Sequence, residues 1–526
     1  MAFQNFLFKA LLVIASAVTS NATFPWRYSM SLRSIHRQNK PLSPSYKIDS
    51  FNRSCFPDGF VFGAGSSAYQ IEGAVNEDGR RPSIWDSFTR TYPGKIQDGS
   101  NADVSIDSYH RYKEDVGITK GIGLDAYRFS ISWPRILPHG NLSGGVNWKG
   151  IKYYNNLIDE LKNNSIEPYV TLFHWDVPQG LEELYGGFLS PLIVADFRDY
   201  ADLCFKSFGN RVKNWVTLNE PVAFSVLGYD TGVHAPGRCS SWKQNNCTGG
   251  DSSTEPYIVS HNQLLAHAAA VKLYKEKYQA EQKGKIGITL HAIWPVLYSN
   301  SSLDRHALGR TLDFQLGWFM SPIVNGEYPL TMRALVGERL PNFSANESEM
   351  LKGSYDFVGI NYYISLYVKY DDNYSAVNLS STTDARVNLV SARDGVLLGE
   401  QLGSMQVYPR GIWQILLYIK RKYNNPVLYV MENGYLEYSN ASLFQQQSLN
   451  DYFRIKYYYQ HLAFTLKAIK NGVNLKGYFV WALMDSFEWD SGYTIRFGIN
   501  YIDFNDGNLK RYPKLSSQWF KNFLQK

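Results

Sequence analysis

A chain of 526 residues with 44% hydrophobic and 19% charged side chains, and with glycine and proline scattered along it, has the composition of a globular enzyme and not of a disordered chain. The formal charge of +6 is small for this length, and Lys420-Arg421-Lys422 is the only dense basic cluster, placed on a solvated helix face; without a basic stripe, nucleic-acid binding is excluded. An aromatic share of 15% fits both a bulky core and a surface that stacks on sugar rings.

In chain order, Lys9, the apolar run Ala10 to Val18 and Ser20-Asn21-Ala22 read as a signal peptide over residues 1–22. The run is too short to span a bilayer, and no later stretch reaches about 18 uninterrupted apolar residues, so no membrane association is expected. Residues 23–50 carry proline, serine and basic side chains without periodicity and form an irregular lead-in, leaving 51–526 as one catalytic domain. Short apolar or β-branched runs then recur as predicted strands at Phe60 to Ala64, Ala126 to Ser132, Tyr169 to Phe173 and Trp215 to Leu218. Four more follow at Lys285 to His291, Phe357 to Tyr362, Val427 to Met431 and Gly477 to Leu483. Amphipathic stretches such as Gly150 to Asn163, Pro191 to Phe208, Pro256 to Tyr278, Gly411 to Tyr423 and Leu449 to Lys470 lie between them. Eight strands alternating with helices predict an α/β fold, a single (β/α)8 TIM barrel. The alternative, a doubly wound open sheet, has no Gly-x-Gly-x-x-Gly turn or phosphate loop to support it.

Barrel active sites form at the carboxyl ends of the strands, so the polar residues there carry the chemistry. Asn219-Glu220-Pro221 follows the fourth predicted strand and Glu432-Asn433-Gly434 the seventh. Alone, either tripeptide is a helix cap or turn with a solvated carboxylate. Together they place two carboxylates across one mouth, the arrangement that glycosidic cleavage needs. No cysteine or histidine spacing fits a metal site, and no metal or organic cofactor is expected. Beyond the expected signal peptide, ten Asn-x-Ser/Thr sequons, at Asn52, Asn141, Asn163, Asn246, Asn300, Asn342, Asn346, Asn373, Asn378 and Asn440, point to the secretory pathway. A disulfide could close the short polar loop between Cys239 and Cys247, whereas Cys55 and Cys204 are expected to be buried thiols.

Tyr69-Gln70-Ile71-Glu72-Gly73, Tyr127-Arg128-Phe129-Ser130, Phe173-His174-Trp175-Asp176, Asn361-Tyr362-Tyr363 and Ser486-Phe487-Glu488-Trp489, with the two glutamate motifs, make residues 51 to 524 resemble a plant family-1 glycoside hydrolase, a β-glucosidase. The resemblance implies that Glu220 is the acid/base and Glu432 the nucleophile, supported by Arg128, Tyr363 and Asn361. It further implies sugar contacts from Gln70, His174, Asn219, Tyr363, Glu432 and Glu488, a sugar-binding wall of Trp481 and Trp489, and Phe497 at the aglycone entrance. Taken alone, His174 could be a core histidine and Trp481 barrel packing. Thioglucosidases resembling this family carry glutamine at the acid/base position; Glu220 here implies O-glycosides. The expected partner is therefore a small-molecule glycoside of a plant metabolite, in the vacuole or outside the cell, with a homo-oligomer left open.

Some positions depart from the pattern. Ser404 stands where many plant relatives have a tryptophan against the aglycone, and Ser491 is compatible with a second-sugar contact as in plant diglycosidases; ordinary loop drift explains both equally well. A transglycosidase is a further alternative, and an inactive carbohydrate-binding barrel is disfavoured by the intact glutamates. Phe224, Tyr229 and Trp242 are looser candidates for the aglycone pocket. Met431 replaces a common threonine beside the nucleophile.

Overall fold

The computed structural model of the protein describes residues 50–439 and 445–525. The expected signal peptide, all of the lead-in except Ser50, and the sequon asparagine Asn440 lie outside the described residues.

All eight predicted strands form: β1 (Val61–Gly65), β2 (Ala126–Ser130), β3 (Glu167–Phe173), β4 (Asn214–Asn219), β5 (Lys285–His291), β6 (Phe357–Asn361), β7 (Leu428–Asn433) and β8 (Leu475–Val480). Each pairs in parallel with the next in sequence, and β8 returns to β1 through Val61 opposite Gly477, closing the barrel. Between successive strands run α1 (Ser108–Ile122), α2 (Trp148–Asn163), α3 (Ile193–Phe208), α4 (Glu255–Lys277), α5 (Trp318–Asn325), α6 (Arg410–Lys422) and α7 (Tyr452–Lys470), and α8 (Leu515–Leu524) follows β8. The α2 sequence shows why these segments become an outer ring. Asn147 caps its start through a bond from the Lys149 amide, and Ile151, Tyr154, Ile158 and Leu161 recur at helical spacing as its buried stripe.

Alternation along the strands divides the core in two. Outward side chains such as Tyr127, Phe129, Val170 and Leu172 pack in the large cluster beneath the helices. Inward ones, Ala126, Tyr169, Val216, Phe357, Tyr429, Met431 and Phe479, form a separate cluster that fills the barrel. Its aromatic rings touch at 4.9 Å between Tyr169 and Phe479 and 5.2 Å between Phe357 and Tyr429. The filling leaves no room at Gly63, where a β-carbon would lie 2.3 Å from the Phe479 ring. Met431 is thus part of the barrel plug, fully buried beneath the mouth.

Two secondary features frame the mouth. A three-stranded sheet of Trp294–Leu297, Ser365–Tyr370 and Val387–Val390 covers the side above β5 and β6. The loop after β4 is closed by the Cys239–Cys247 disulfide and anchored by an ion pair between Lys243 and the buried Asp230. Cys204 is buried as expected, but Cys55 is only partly buried, in the turn before β1. Among the described residues no helix is long and apolar enough to cross a membrane.

Candidate active site

Local backbone irregularities aim both glutamates into the mouth. On β7, Val430 pairs with Ile360 of β6 but Glu432 pairs with the next residue, Asn361, so a bulge inserts one extra residue before the glutamate. Strict alternation would have turned Glu432 to the outer face that Val430 occupies; the bulge turns it inward. On β4 a similar shift falls between Val216, opposite Gly287, and Asn219, opposite Thr289. Glu220 then adopts a left-handed backbone, φ 45° and ψ 56°, at the N-cap of the helix Pro221–Tyr229. Proline's fixed φ suits the first helical turn, and the chain reverses at Glu220 with its carboxyl held over the pocket. Trp175 and Trp489, which also line the pocket, have positive φ as well. Non-glycine residues in this region cost on the order of 1–3 kcal/mol each and concentrate at functional sites.

A single hydrogen-bond network joins the two carboxyl groups. Tyr363 donates to one Glu432 oxygen at 2.7 Å and Arg128 to the other at 2.5 Å. Arg128 also donates to the Asn219 carbonyl oxygen at 2.6 Å, and Asn361 donates to that oxygen at 3.1 Å and to Glu220 at 2.8 Å. Arg128 is fully buried, and among the described residues Glu432 is the one carboxylate bonded to it. Burial pushes Glu220 up to about 7, against the opposing effects of the Asn361 bond and the Arg128 charge. Burial raises Glu432 to about 7 as well; the Arg128 charge opposes the rise, the Glu220 charge adds to it, and the bonds from Tyr363 and Arg128 oppose it. A cation and a hydroxyl grip Glu432, whereas a neutral amide grips Glu220; the contacts at Glu432 favour a charged carboxylate more strongly than the contact at Glu220 does.

Both carboxyl groups open into a solvent-accessible pocket at the barrel mouth. Of the predicted residues, His174, Asn219, Glu220, Tyr363, Glu432, Trp481, Glu488, Trp489, Ser491 and Phe497 line it. The Asn219 amide donates to Nε2 of His174 at 3.0 Å, which places the imidazole proton on Nδ1, and burial together with the Arg128 charge keeps the ring neutral. That Nδ1 has no partner among the described residues, unlike a satisfied core histidine. Gln70 stands behind the wall: it donates to Glu488 at 3.0 Å and to the Phe487 carbonyl at 2.8 Å. Burial, then the charges of Glu432 and Asp490, raise Glu488 to about 8. The His174 ring lies near-parallel to both Trp481 and Trp489, with centroids 5.9 Å away in each case.

Ser404 is not among the lining residues. It sits in the bend of the hairpin Glu400–Leu402 and Met405–Val407, where its hydroxyl is used by the Leu436 carbonyl. Helical periodicity corrects two of the looser candidates. Ala223 and Leu227 share the pocket face of Pro221–Tyr229, while Phe224 and Tyr229 turn into the core, Phe224 against Phe173 and Phe188. Trp242, the third, stacks under Lys243 on the disulfide loop and does not line the pocket. His234, His291, Asp490 and Ile495 line the pocket without having been marked by any local motif. His234 meets Asp490 at 3.2 Å, a pairing across 256 positions that only the folded chain creates.

Two buried carboxyl groups in one hydrogen-bond network at the mouth of a filled barrel, with neutral amides, an imidazole and tryptophan faces around them, suit cleavage of a glycosidic bond. Fold and site together define a barrel glycoside hydrolase. The chain belongs to glycosyl hydrolase family 1, whose model matches residues 52–526. It is similar to β-glucosidase 24 of Oryza sativa subsp. japonica, 58% identical over 90% of this chain and 94% of that protein. Furcatin hydrolase of Viburnum furcatum is 54% identical over 91% of this chain and 88% of its own length. A solved rice β-glucosidase mutant in a covalent complex with Glc superimposes with a TM-score of 0.89 at 46% identity, covering 90% of this chain and 100% of the other.

Proposed function

We propose that this family 1 β-glucosidase works by double displacement, with Glu432 as nucleophile and Glu220 as acid/base. The observation that carries the assignment is the asymmetry of the two carboxyl groups: Arg128 and Tyr363 bond to Glu432, and among the described residues only the Asn361 side chain bonds to the Glu220 carboxyl. In the first step a Glu432 oxygen attacks the anomeric carbon while Glu220 gives its proton to the departing glycosidic oxygen. The ester formed on Glu432 no longer carries charge, so ionisation of Glu220 is no longer opposed by a neighbouring anion. Glu220 then takes a proton from water as that water attacks the anomeric carbon, and Glu432 leaves as the carboxylate. Two inversions give retention, a route that in retaining enzymes generally uses carboxyl groups about 5–5.5 Å apart. The covalent Glc complex of the rice relative supports the intermediate.

His174, Asn219, Gln70 through Glu488, and the faces of Trp481 and Trp489 hold the glucose. Ala223, Leu227, Ile495 and Phe497 supply an apolar side for the aglycone of a plant O-glucoside. A secretory location is supported by the leader-like N-terminus, by the disulfide, and by the sequon asparagines, of which none of the nine described is buried. Azide tests the assignment. Glu220→Ala should turn over activated aryl glucosides and, with azide, release β-glucosyl azide; Glu432→Ala should be inactive and yield only α-glucosyl azide from an activated β-substrate. The opposite stereochemical pattern would exchange the two roles.

A further inference from the structure

Three histidines line the pocket, and two are bonded: His174 to Asn219 and His234 to Asp490. His291 has a side chain with no hydrogen-bond partner among the described residues and is 9% exposed, toward the pocket it lines. It ends β5, where it pairs with Asn361 of β6, the same residue that pairs with Glu432 of β7. Glu432, Asn361 and His291 therefore stand at one level on three adjacent strands, and β4 with Glu220 flanks His291 on its other side. The Glu220 amide donates to the carbonyl of Thr289, two residues before His291 on the same strand. Thr289 points into the barrel, against the position a β-carbon of Gly359 would take, and alternation puts His291 on that inward face one layer higher. Most residues that hold the sugar come from the other half of the ring, Gln70 after β1, His174 after β3, and Trp481 and Glu488 after β8, with Asn219 at the end of β4 the exception. His291 thus faces the pocket from the side on which Glu220 releases the leaving group.

We propose that His291 is a specificity-determining residue that hydrogen-bonds the aglycone, selecting glucosides whose aglycone carries a hydroxyl next to the glycosidic oxygen. The ring is neutral at working pH, because burial lowers it to about 4 with only partial opposition from Glu432. It therefore offers one N–H donor and one nitrogen acceptor, and suits a hydroxyl, which is both. A hydrogen bond to the pocket-facing imidazole is worth about 0.5–1.5 kcal/mol net, which an aglycone hydroxyl gains and an alkyl group cannot. His291 and Glu220 rise from adjacent strands, about 4.8 Å apart at the backbone, so the contacted hydroxyl is placed close to the glycosidic oxygen, ortho or vicinal to it.

The proposal rests on the β-glucosidase function and is tested with a matched pair, 2-(hydroxymethyl)phenyl and 2-ethylphenyl β-D-glucoside. These share the sugar and nearly the same size, and differ in one hydroxyl. Wild-type enzyme should prefer the hydroxymethyl substrate by about ten-fold in kcat/KM. His291→Leu should remove the preference, and His291→Asn, which keeps a donor and an acceptor, should restore part of it. An unchanged preference in His291→Leu overturns the proposal. So does the absence of any preference in the wild type, a result that does not depend on any variant folding. Failure of wild-type enzyme on both substrates and on unsubstituted phenyl β-D-glucoside would instead remove the β-glucosidase function, and the proposal with it.

Discussion

Replacing Glu220 by glutamine should stabilise the protein at neutral and alkaline pH while removing its activity on ordinary glucosides. Burial raises Glu220 from the 4.5 of an ordinary glutamate to about 7. The folded protein thus keeps a proton that the unfolded chain has released. Stability contributed by this group is complete below pH 4.5 and is lost as pH rises through about 7; by linkage the loss is roughly 3 kcal/mol. Glutamine does not titrate, and its carbonyl oxygen can accept the same bond from Asn361. In a fold of this size 1 kcal/mol corresponds to about 1 °C in Tm. Scanning calorimetry at a fixed scan rate should therefore show wild type and Glu220→Gln parting by about 3 °C more at pH 8 than at pH 4.5, in favour of the variant. The same variant should lose turnover of glucosides with poor leaving groups and keep the first chemical step for 2,4-dinitrophenyl β-D-glucoside, which needs no proton donor. Parallel Tm curves across that pH range would refute the claim that Glu220 is held protonated by its surroundings.

Tyr363→Phe removes the hydroxyl that favours ionised Glu432, so the acid limb of the kcat/KM profile should move to higher pH, with a loss of about 10- to 100-fold at the optimum. Met431→Thr opens space in the barrel plug and buries a hydroxyl there; urea unfolding should show a loss of about 2–4 kcal/mol. Cys239→Ser together with Cys247→Ser frees a loop with a sequence separation of 8, and should cost about 2 kcal/mol by chain entropy, read as earlier thermal unfolding of the oxidised wild type's counterpart.

The barrel was legible because its signal is local. Each strand is a short β-branched or aromatic run, and the structure moves the predicted limits by only a few residues, as where Trp215 to Leu218 becomes Asn214–Asn219. At β8 the forecast ran past the end: after Val480 the chain leaves the sheet and delivers Trp481 to the pocket. Glu220 and Glu432 were legible through their motifs, but not the bulges that aim them, since a bulge exists only relative to a neighbouring strand. For the same reason His291 carried no mark in the sequence. A histidine at the end of an apolar run acquires meaning only from its register with Asn361. The pairing of His234 with Asp490, and the division of Pro221–Tyr229 into a pocket face and a core face, likewise depend on closure of the ring. Ser404 shows the converse, a position singled out by alignment whose hydroxyl is taken by a backbone carbonyl.

The central claim is that Glu432 carries the sugar as an ester between two displacements. Incubation with 2,4-dinitrophenyl 2-deoxy-2-fluoro-β-D-glucoside, which forms the intermediate faster than it breaks down, tests this most directly. One equivalent of dinitrophenolate should be released, activity should be lost, and peptide mass spectrometry should place one fluoroglucosyl group on Glu432. Label on Glu220, or inactivation without any covalent mass, would contradict the account.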